Sequence, residues 1–309
     1  MAVQSTGSTL RKRNRLSSGE KLAPYLYISP SLLFLGLILG FPIIYCIVIS
    51  FQDLNLTTLI SKQPQFIGFQ NYYQVLTNPE FKLALIHSLI FTFFSILFQF
   101  TIGLALAILF SKSFPFNNTM RGLLLSGWQI PSIVTGTIFL WLFNADYGLI
   151  NFMLMFLHAI TQPVGWLLQA NTALEAVIIA NIWLGIPFNV ILLSAGISGL
   201  PEDVYEAATV DGASGWQKII YITIPLLKST ILAVLMLGFI YTLRVFDLIW
   251  IITKGGPGDA TEVLPTLAYR ISFIHFNFGQ SAAIAVIMLF ILLIAGVVYL
   301  RQIVQEETL

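Results

Sequence analysis

Charge is what this chain has least of. Only 9% of its 309 residues are Asp, Glu, Lys or Arg, against about 25% in soluble globular domains. That scarcity excludes an ordinary water-facing surface. Cysteine is nearly absent: the single Cys46 cannot form an internal disulfide and sits in an apolar run, where it reads as a small core residue. The three histidines, His87, His158 and His275, are scattered and isolated from paired acids, so they offer neither a metal-ligand cluster nor an acid–base constellation. No G-x-x-x-x-G-K-[ST] phosphate loop occurs, and Gly255–Gly258 lacks the lysine such a loop needs. Internal repeats and low-complexity tracts are missing as well. These absences speak against a membrane enzyme and an ATPase. They also weaken a secondary transporter, which expects intramembrane carboxylates or a repeat of broken helices.

Hydrophobicity is what remains, at 57% of the chain, and it falls in long runs. Six candidate spans stand out: Tyr25–Phe51, Leu83–Phe110, Gly122–Phe143, Ala176–Ile197, Thr230–Ile251 and Ser281–Leu300. Each meets the roughly 20 residues needed to cross about 30 Å of hydrocarbon as a helix. Unpaired backbone groups are excluded from lipid, so the fold class is all-α, a polytopic membrane protein. Tyr25–Phe51 has 27 residues without a charge, too long for a signal-peptide core of roughly 7–15 residues, and reads as a retained first span. Asn78-Pro79-Glu80 reads as a cap, a first-turn proline and a first-turn acid opening the second long helix. Pro42 and Pro187 lie within spans and are expected to bend them. Gly148–Leu168 is uncharged but interrupted by Gln162, Pro163 and Gly165. Its apolar part suits an interfacial or re-entrant helix better than a span.

Charge placement orients this layout. Ten Lys/Arg fall on one side: Arg11, Lys12, Arg13, Arg15, Lys21, Lys112, Arg121, Lys218, Lys228 and Arg301. Four fall on the other: Lys62, Lys82, Lys254 and Arg270. The bias puts both termini in the cytoplasm. The expected layout is a basic tail over 1–24, a membrane domain over 25–301 and a short tail over 302–309. A cytoplasmic loop over 198–228 lies between the fourth and fifth spans.

That loop is the most informative polar island. Pro201-Glu202-Asp203 makes a good helix start, with acids near the positive helix end. Val204, Ala207 and Ala208 then share one small, lightly apolar face. Gly212 is placed to end the helix at positive φ. Ser214 and Gln217 fit a capping box for a second short helix ending near Pro225. Taken alone, this is either an ordinary loop with two amphipathic turns or a docking plug.

The spacing E-A-A, three residues, Gly, nine residues, I-x-x-P, at Glu206, Ala207, Ala208, Gly212, Ile222 and Pro225, resembles the EAA loop of bacterial ABC importer permeases. Ile224 stands where leucine is usual. Phe66–Tyr72, Asp211–Ser214, Gly255–Gly258 and Phe276–Gly279 also look like the sugar-permease branch that includes the maltose and glycerol-phosphate permeases. The resemblance covers roughly 25–301. It implies the six-span type I permease fold and a chain that does no chemistry itself. A second permease, an ATPase dimer that binds ATP and Mg, and an external solute-binding protein are the implied partners. It implies ATPase contacts at Glu206, Ala207, Ala208, Asp211, Gly212 and Pro225, and a di- or oligosaccharide as cargo.

Polar groups within spans are costly and mark function or packing. Asn181, Asn189, Tyr241 and Arg244 are expected to face the path. Trp183 either stacks on a sugar ring or packs. Arg244 and Asp247, three apart, either form a structural ion pair on one helix face or furnish a polar wall of the path. Trp141 and Trp250 read as membrane-belt residues.

Overall fold

The protein is represented by a computed structural model that describes residues 18–307, with side chains from 25 to 305. Arg11, Lys12, Arg13 and Arg15 of the expected basic tail lie outside the described residues. The chain divides into two units, 1–48 and 49–309. In the first, helix Ser18–Leu35 passes through a π-turn at Gly36–Gly40 into helix Phe41–Ser50. The π-turn lies just ahead of Pro42, which removes one helical donor.

The second unit is organised around two helices. Pro79–Phe110 opens as its sequence demands, with Asn78 Oδ1 accepting from the Glu80 amide at 2.9 Å. Its buried residues, among them Ala84, Ser88, Thr92, Ser95, Gln99, Gly103 and Ala107, form one stripe at helical spacing. Gln99, Gly103 and Ala107 of this stripe pack against Ala170–Ser198, while Ala84 clusters with Leu264 and Ser88 Oγ accepts from the Leu264 amide; close approach must hold helices together where lipid supplies no hydrophobic force. A Cβ on Gly103 would lie 2.6 Å from Asn189 Cβ, so glycine sets that approach. Pro187 sits inside the second helix without interrupting it.

Among the described residues, four helices are long and apolar enough to cross a bilayer: Tyr25–Ser50, Pro79–Phe110, Ala170–Ser198 and Phe278–Gln305. Two bent pairs bring the number to as many as six. The expected third span, Gly122–Phe143, is one of them. Helix Asn117–Ser126 and the 3₁₀ turn Gly127–Gln129 meet Ser132–Leu142 at 101°. The cause is local. Pro131 lacks an N–H and forces Ile130 into extended backbone (φ −72°, ψ 123°).

The expected fifth span, Thr230–Ile251, is not one helix either. Lys228–Leu243 stops, and Asp247–Ile252 restarts after three residues. Here tertiary packing decides. Leu248, Ile249 and Ile252 are buried with Phe139, Phe143 and Ala176, so the restart turns to pack on Ser132–Leu142. At its other end Lys228–Leu243 bends by 71° from Gly215–Leu226. Within Gly148–Leu168 only Leu149–Phe156 is helical, far too short to span. Asn151 fastens the irregular remainder, donating to Val164 O at 2.9 Å and accepting from Trp166 Nε1 at 2.8 Å.

One end of the second unit is a small polar framework built by the sequence motifs at 66–72 and 276–279. Strand Gln52–Asp53 pairs antiparallel with Gln65–Phe66. Asn71 Nδ2 donates to Ser50 O and Gln52 O, both at 2.9 Å. A Cβ on Gly279 would sit 2.4 Å from Gln52 O. These motif residues therefore build a scaffold.

Beside it, Arg270 pairs with Asp259, with Glu80 at 3.2 Å and with Glu262 at 3.2 Å. The Glu262 side chain is 2% exposed. Burial pushes its carboxyl above the usual carboxylate range, and the Arg270 charge opposes that shift. A raised folded-state pKa stabilises below the unfolded value near 4.5, and that stability is lost as pH rises through the folded value. Glu262→Gln therefore flattens the fall in thermal midpoint as pH rises above the ordinary carboxylate value, and leaves the midpoint at alkaline pH unchanged or higher. The facing groups Arg270, Asp259, Glu80 and His87, whose Nδ1 lies 3.2 Å from Glu262 O, stay in place. A steeper pH profile in the variant would contradict this. Scanning unfolding of the detergent-solubilised protein reads it.

Candidate translocation path and coupling surface

A cavity of about 330 Å³ opens beside the bend at Ile130-Pro131. Its walls come from four separate helical segments: Gln99 from one, Trp128 and Ser132 from the bend, Asn181, Gly185 and Phe188 from another, and Tyr241 and Thr242 from the last. Three of the wall residues are aromatic, and Phe188 touches the other two. Trp128 and Phe188 have centroids 6.1 Å apart, and Phe188 meets Tyr241 edge-to-face at 5.5 Å. Gln99 Nε2 donates to the Asn181 backbone carbonyl at 2.7 Å, which fixes the amide in the wall. The side-chain nitrogen of Asn181 is buried with no hydrogen-bond partner. Such an orphan donor costs about 1–3 kcal/mol until something accepts from it.

Of the residues expected on the path, the cavity gathers Asn181 and Tyr241. Arg244 lies at its edge, its guanidinium 5.6 Å from the centre of the Tyr241 ring. The Arg244–Asp247 ion pair does not form among the described residues. The helix ends at Leu243, so the two no longer share a helical face, and Asp247 instead accepts from Ser132 Oγ at 3.3 Å. Asn189 is a packing residue. It is 4% exposed, sits under Gly103 and returns its amide to Gly185 O at 2.9 Å. Trp183 packs on Phe139 at 5.9 Å and lies outside the cavity wall. Trp250 joins an aromatic cluster with Phe246 and Tyr269, at 5.6 and 4.7 Å, and Trp141 is 69% exposed, as a belt residue would be. Trp128, Ser132 and Phe188 were not singled out from sequence. The dipeptide Ile130-Pro131 was the signal, since a proline kink at mid-span opens backbone and neighbouring side chains to a cavity.

At the other end, helix Glu202–Val210 starts with Glu202 and Asp203 in its first turn. It closes in a Schellman motif: the Ala213 amide donates to Ala208 O at 2.9 Å and the Gly212 amide to Thr209 O at 3.1 Å. Gly212 adopts φ +76°. Ser214 and Gln217 form a capping box for Gly215–Lys218. Two ties hold the helices together. Tyr205 Oη meets Thr223 Oγ1 at 2.8 Å, and Lys218 Nζ donates to Thr209 Oγ1 at 2.7 Å. The outer surface of this unit is apolar and bare, with Val210 88% and Trp216 and Tyr221 each 74% exposed. Glu206, Ala207 and Asp211 are exposed and Ala208 is half-buried on the first helix and its end, and Pro225 is exposed on the second limb.

Residues 99–305 match the family model described as "Binding-protein-dependent transport system inner membrane component". The chain belongs to this family. It is thus a multi-pass membrane transport subunit and not an enzyme, as the resemblance implied. Curated relatives agree along the full length. The chain is 33% identical over 291 residues to the trehalose/maltose transport system permease protein MalF of Thermococcus litoralis, covering 93% of this chain and 96% of that one. It is 31% identical over 308 residues to the diacetylchitobiose uptake system permease protein DasB of Streptomyces coelicolor, covering 98% and 92%. Among solved structures, a bacterial ABC transporter involved in the import of the acidic polysaccharide alginate superposes with a TM-score of 0.76, at 24% identity. It covers 92% of this chain and 96% of that chain, which establishes the shared fold.

Proposed function

We propose that this permease carries a di- or oligosaccharide across a bacterial plasma membrane as one half of a two-permease channel. The observation that carries the proposal is the cavity whose aromatic walls hold an unsatisfied buried amide, Asn181. Aromatic faces suit the C–H faces of a sugar, and an orphan N–H suits its hydroxyls. The names of the two relatives, which specify disaccharides, support the same cargo class. A partner ATPase binds the ATP and Mg. It grips the 201–227 plug through Glu206, Ala207, Ala208, Asp211, Gly212 and the limb ending at Pro225. The Lys/Arg bias supports a cytoplasmic side for that plug and both termini. A homologous second permease completes the channel, and an external solute-binding protein delivers cargo to the outer loops.

Uptake of a panel of labelled oligosaccharides into proteoliposomes holding the complete transporter tests this. Asn181→Ala weakens apparent affinity roughly fivefold, the equivalent of about one hydrogen bond. The same variant leaves the thermal midpoint of the sugar-free protein unchanged or higher, because an unpaired buried donor has gone. Unchanged uptake by Asn181→Ala and Tyr241→Ala, with normal assembly, would remove the cavity from the path. Uptake by this chain alone, without ATPase or binding protein, would overturn the importer mechanism.

A further inference from the structure

A second cavity, of about 550 Å³, lies between the plug and the membrane-facing ends of the helices. It is distinct in character from the path. Lys112, Arg121 and Lys218 line it, against one carboxylate, Glu202. The three cations come from three different segments: the end of Pro79–Phe110, the Asn117–Ser126 helix and the second plug helix. None of them joins an ion pair among the described residues, and the Lys218 ammonium meets only a hydroxyl. Orientation requires basic residues on this side, but it does not require them to converge on one concavity. The remaining wall is apolar, including Ile108, Phe110 and Ile197. Tyr205 and Thr223, whose hydroxyls tie the two plug limbs, also line it.

We propose that this cavity binds a phosphate group, with the lipid headgroups of the cytoplasmic leaflet as its source. Clustered cations beside apolar wall at a membrane boundary match an anionic phospholipid, the phosphate held by Lys112, Arg121 and Lys218 and the acyl chains along Ile108 and Phe110. A bound headgroup would touch the same residues that fix the plug's shape, so it would act on coupling. The proposal rests on the plug being cytoplasmic.

The test uses the complete transporter, purified in mild detergent and in nanodiscs. Native mass spectrometry is expected to show phosphatidylglycerol retained over phosphatidylcholine. Retention should fall about tenfold in the pair Lys112→Gln/Arg121→Gln and recover in Lys112→Arg/Arg121→Lys. ATPase stimulation by cargo should rise with phosphatidylglycerol in the wild type and not in the glutamine pair. Inorganic phosphate that binds the wild type but not the glutamine pair, with no lipid retained, would uphold the phosphate site and move its source to the cytosol. Equal lipid and phosphate binding by wild type and both pairs would overturn the site. So would loss of the ATPase subunit from the glutamine pair with lipid retention intact, since the cations would then serve a protein interface. Side is read separately. Gln217→Cys in a Cys46→Ser background reacts with an impermeant thiol reagent from the inside only. Labelling from outside would refute the cytoplasmic reading whatever the binding data show.

Discussion

Replacing Gly212 with valine removes most ATP-driven uptake, while the chain still inserts and assembles. A Cβ placed on Gly212 meets nothing within 4 Å, so space is not the obstacle. The obstacle is the backbone at φ +76°. An L-residue in the left-handed region costs about 1–2 kcal/mol, and a β-branched one more. At 1.4 kcal/mol per tenfold, about 2 kcal/mol shifts the balance between native and alternative turns roughly 30-fold against the native one. The two Schellman bonds at Ala208 and Thr209 are lost with that turn. Gly215 provides the control. It too has nothing within 4 Å of a Cβ, but its φ is ordinary, so Gly215→Ala transports normally. Gly212→Asn, tolerant of the left-handed region, falls between. The comparison is made by uptake and by cargo-stimulated ATPase activity at matched assembly. Wild-type uptake by Gly212→Val would mean that the plug's shape does not matter for coupling.

The shape of that plug was readable because every determinant is local. A proline and two acids start the helix, a glycine turns it, and Ser214 and Gln217 cap the next one. Membrane-crossing helices are readable for a different reason: lipid leaves the backbone no alternative. What escaped the sequence was of two kinds. The bend at Ile130-Pro131 was a local signal overlooked because an uncharged run passed as one span. The break after Leu243 has no local cause, since no proline or glycine stands there, and it follows from where Leu248 and Ile252 find their burial. The placement of the path residues depends on tertiary packing in the same way. Asn181 and Asn189 have the same chemistry and sit two turns apart on one helix. Only the opposing Gly103 and Gln99, about 80 positions away in the chain, decide that one packs and the other lines a cavity.

That opposing contact yields the second large effect. Gly185→Ala destabilises the helix pair, because its Cβ would lie 2.3 Å from Gln99 Cδ and 2.4 Å from Nε2. Gln99 is 5% exposed and held by its bond to Asn181 O at 2.7 Å, so its amide can move aside only into the neighbouring cavity, and only by giving up that bond. Overpacking costs about 1–3 kcal/mol, and displacing the buried amide adds about as much again. The thermal midpoint of the solubilised transporter drops, and uptake drops with it. Shortening the neighbour relieves the clash: Gly185→Ala/Gln99→Ala recovers most of the midpoint, a coupling of about 1–3 kcal/mol in the double-mutant cycle. Gly103 behaves oppositely. Its added Cβ would meet Asn189 Cβ at 2.6 Å, with the Asn189 backbone next at 3.5 Å. Alanine at 189 keeps that Cβ, so Gly103→Ala/Asn189→Ala gains nothing. Rescue at 185 without rescue at 103 would show that the first glycine makes room for a side chain in the cavity wall and the second lets two helices touch. Rescue of both, or of neither, would mean that the two crossings are governed by something other than these close approaches.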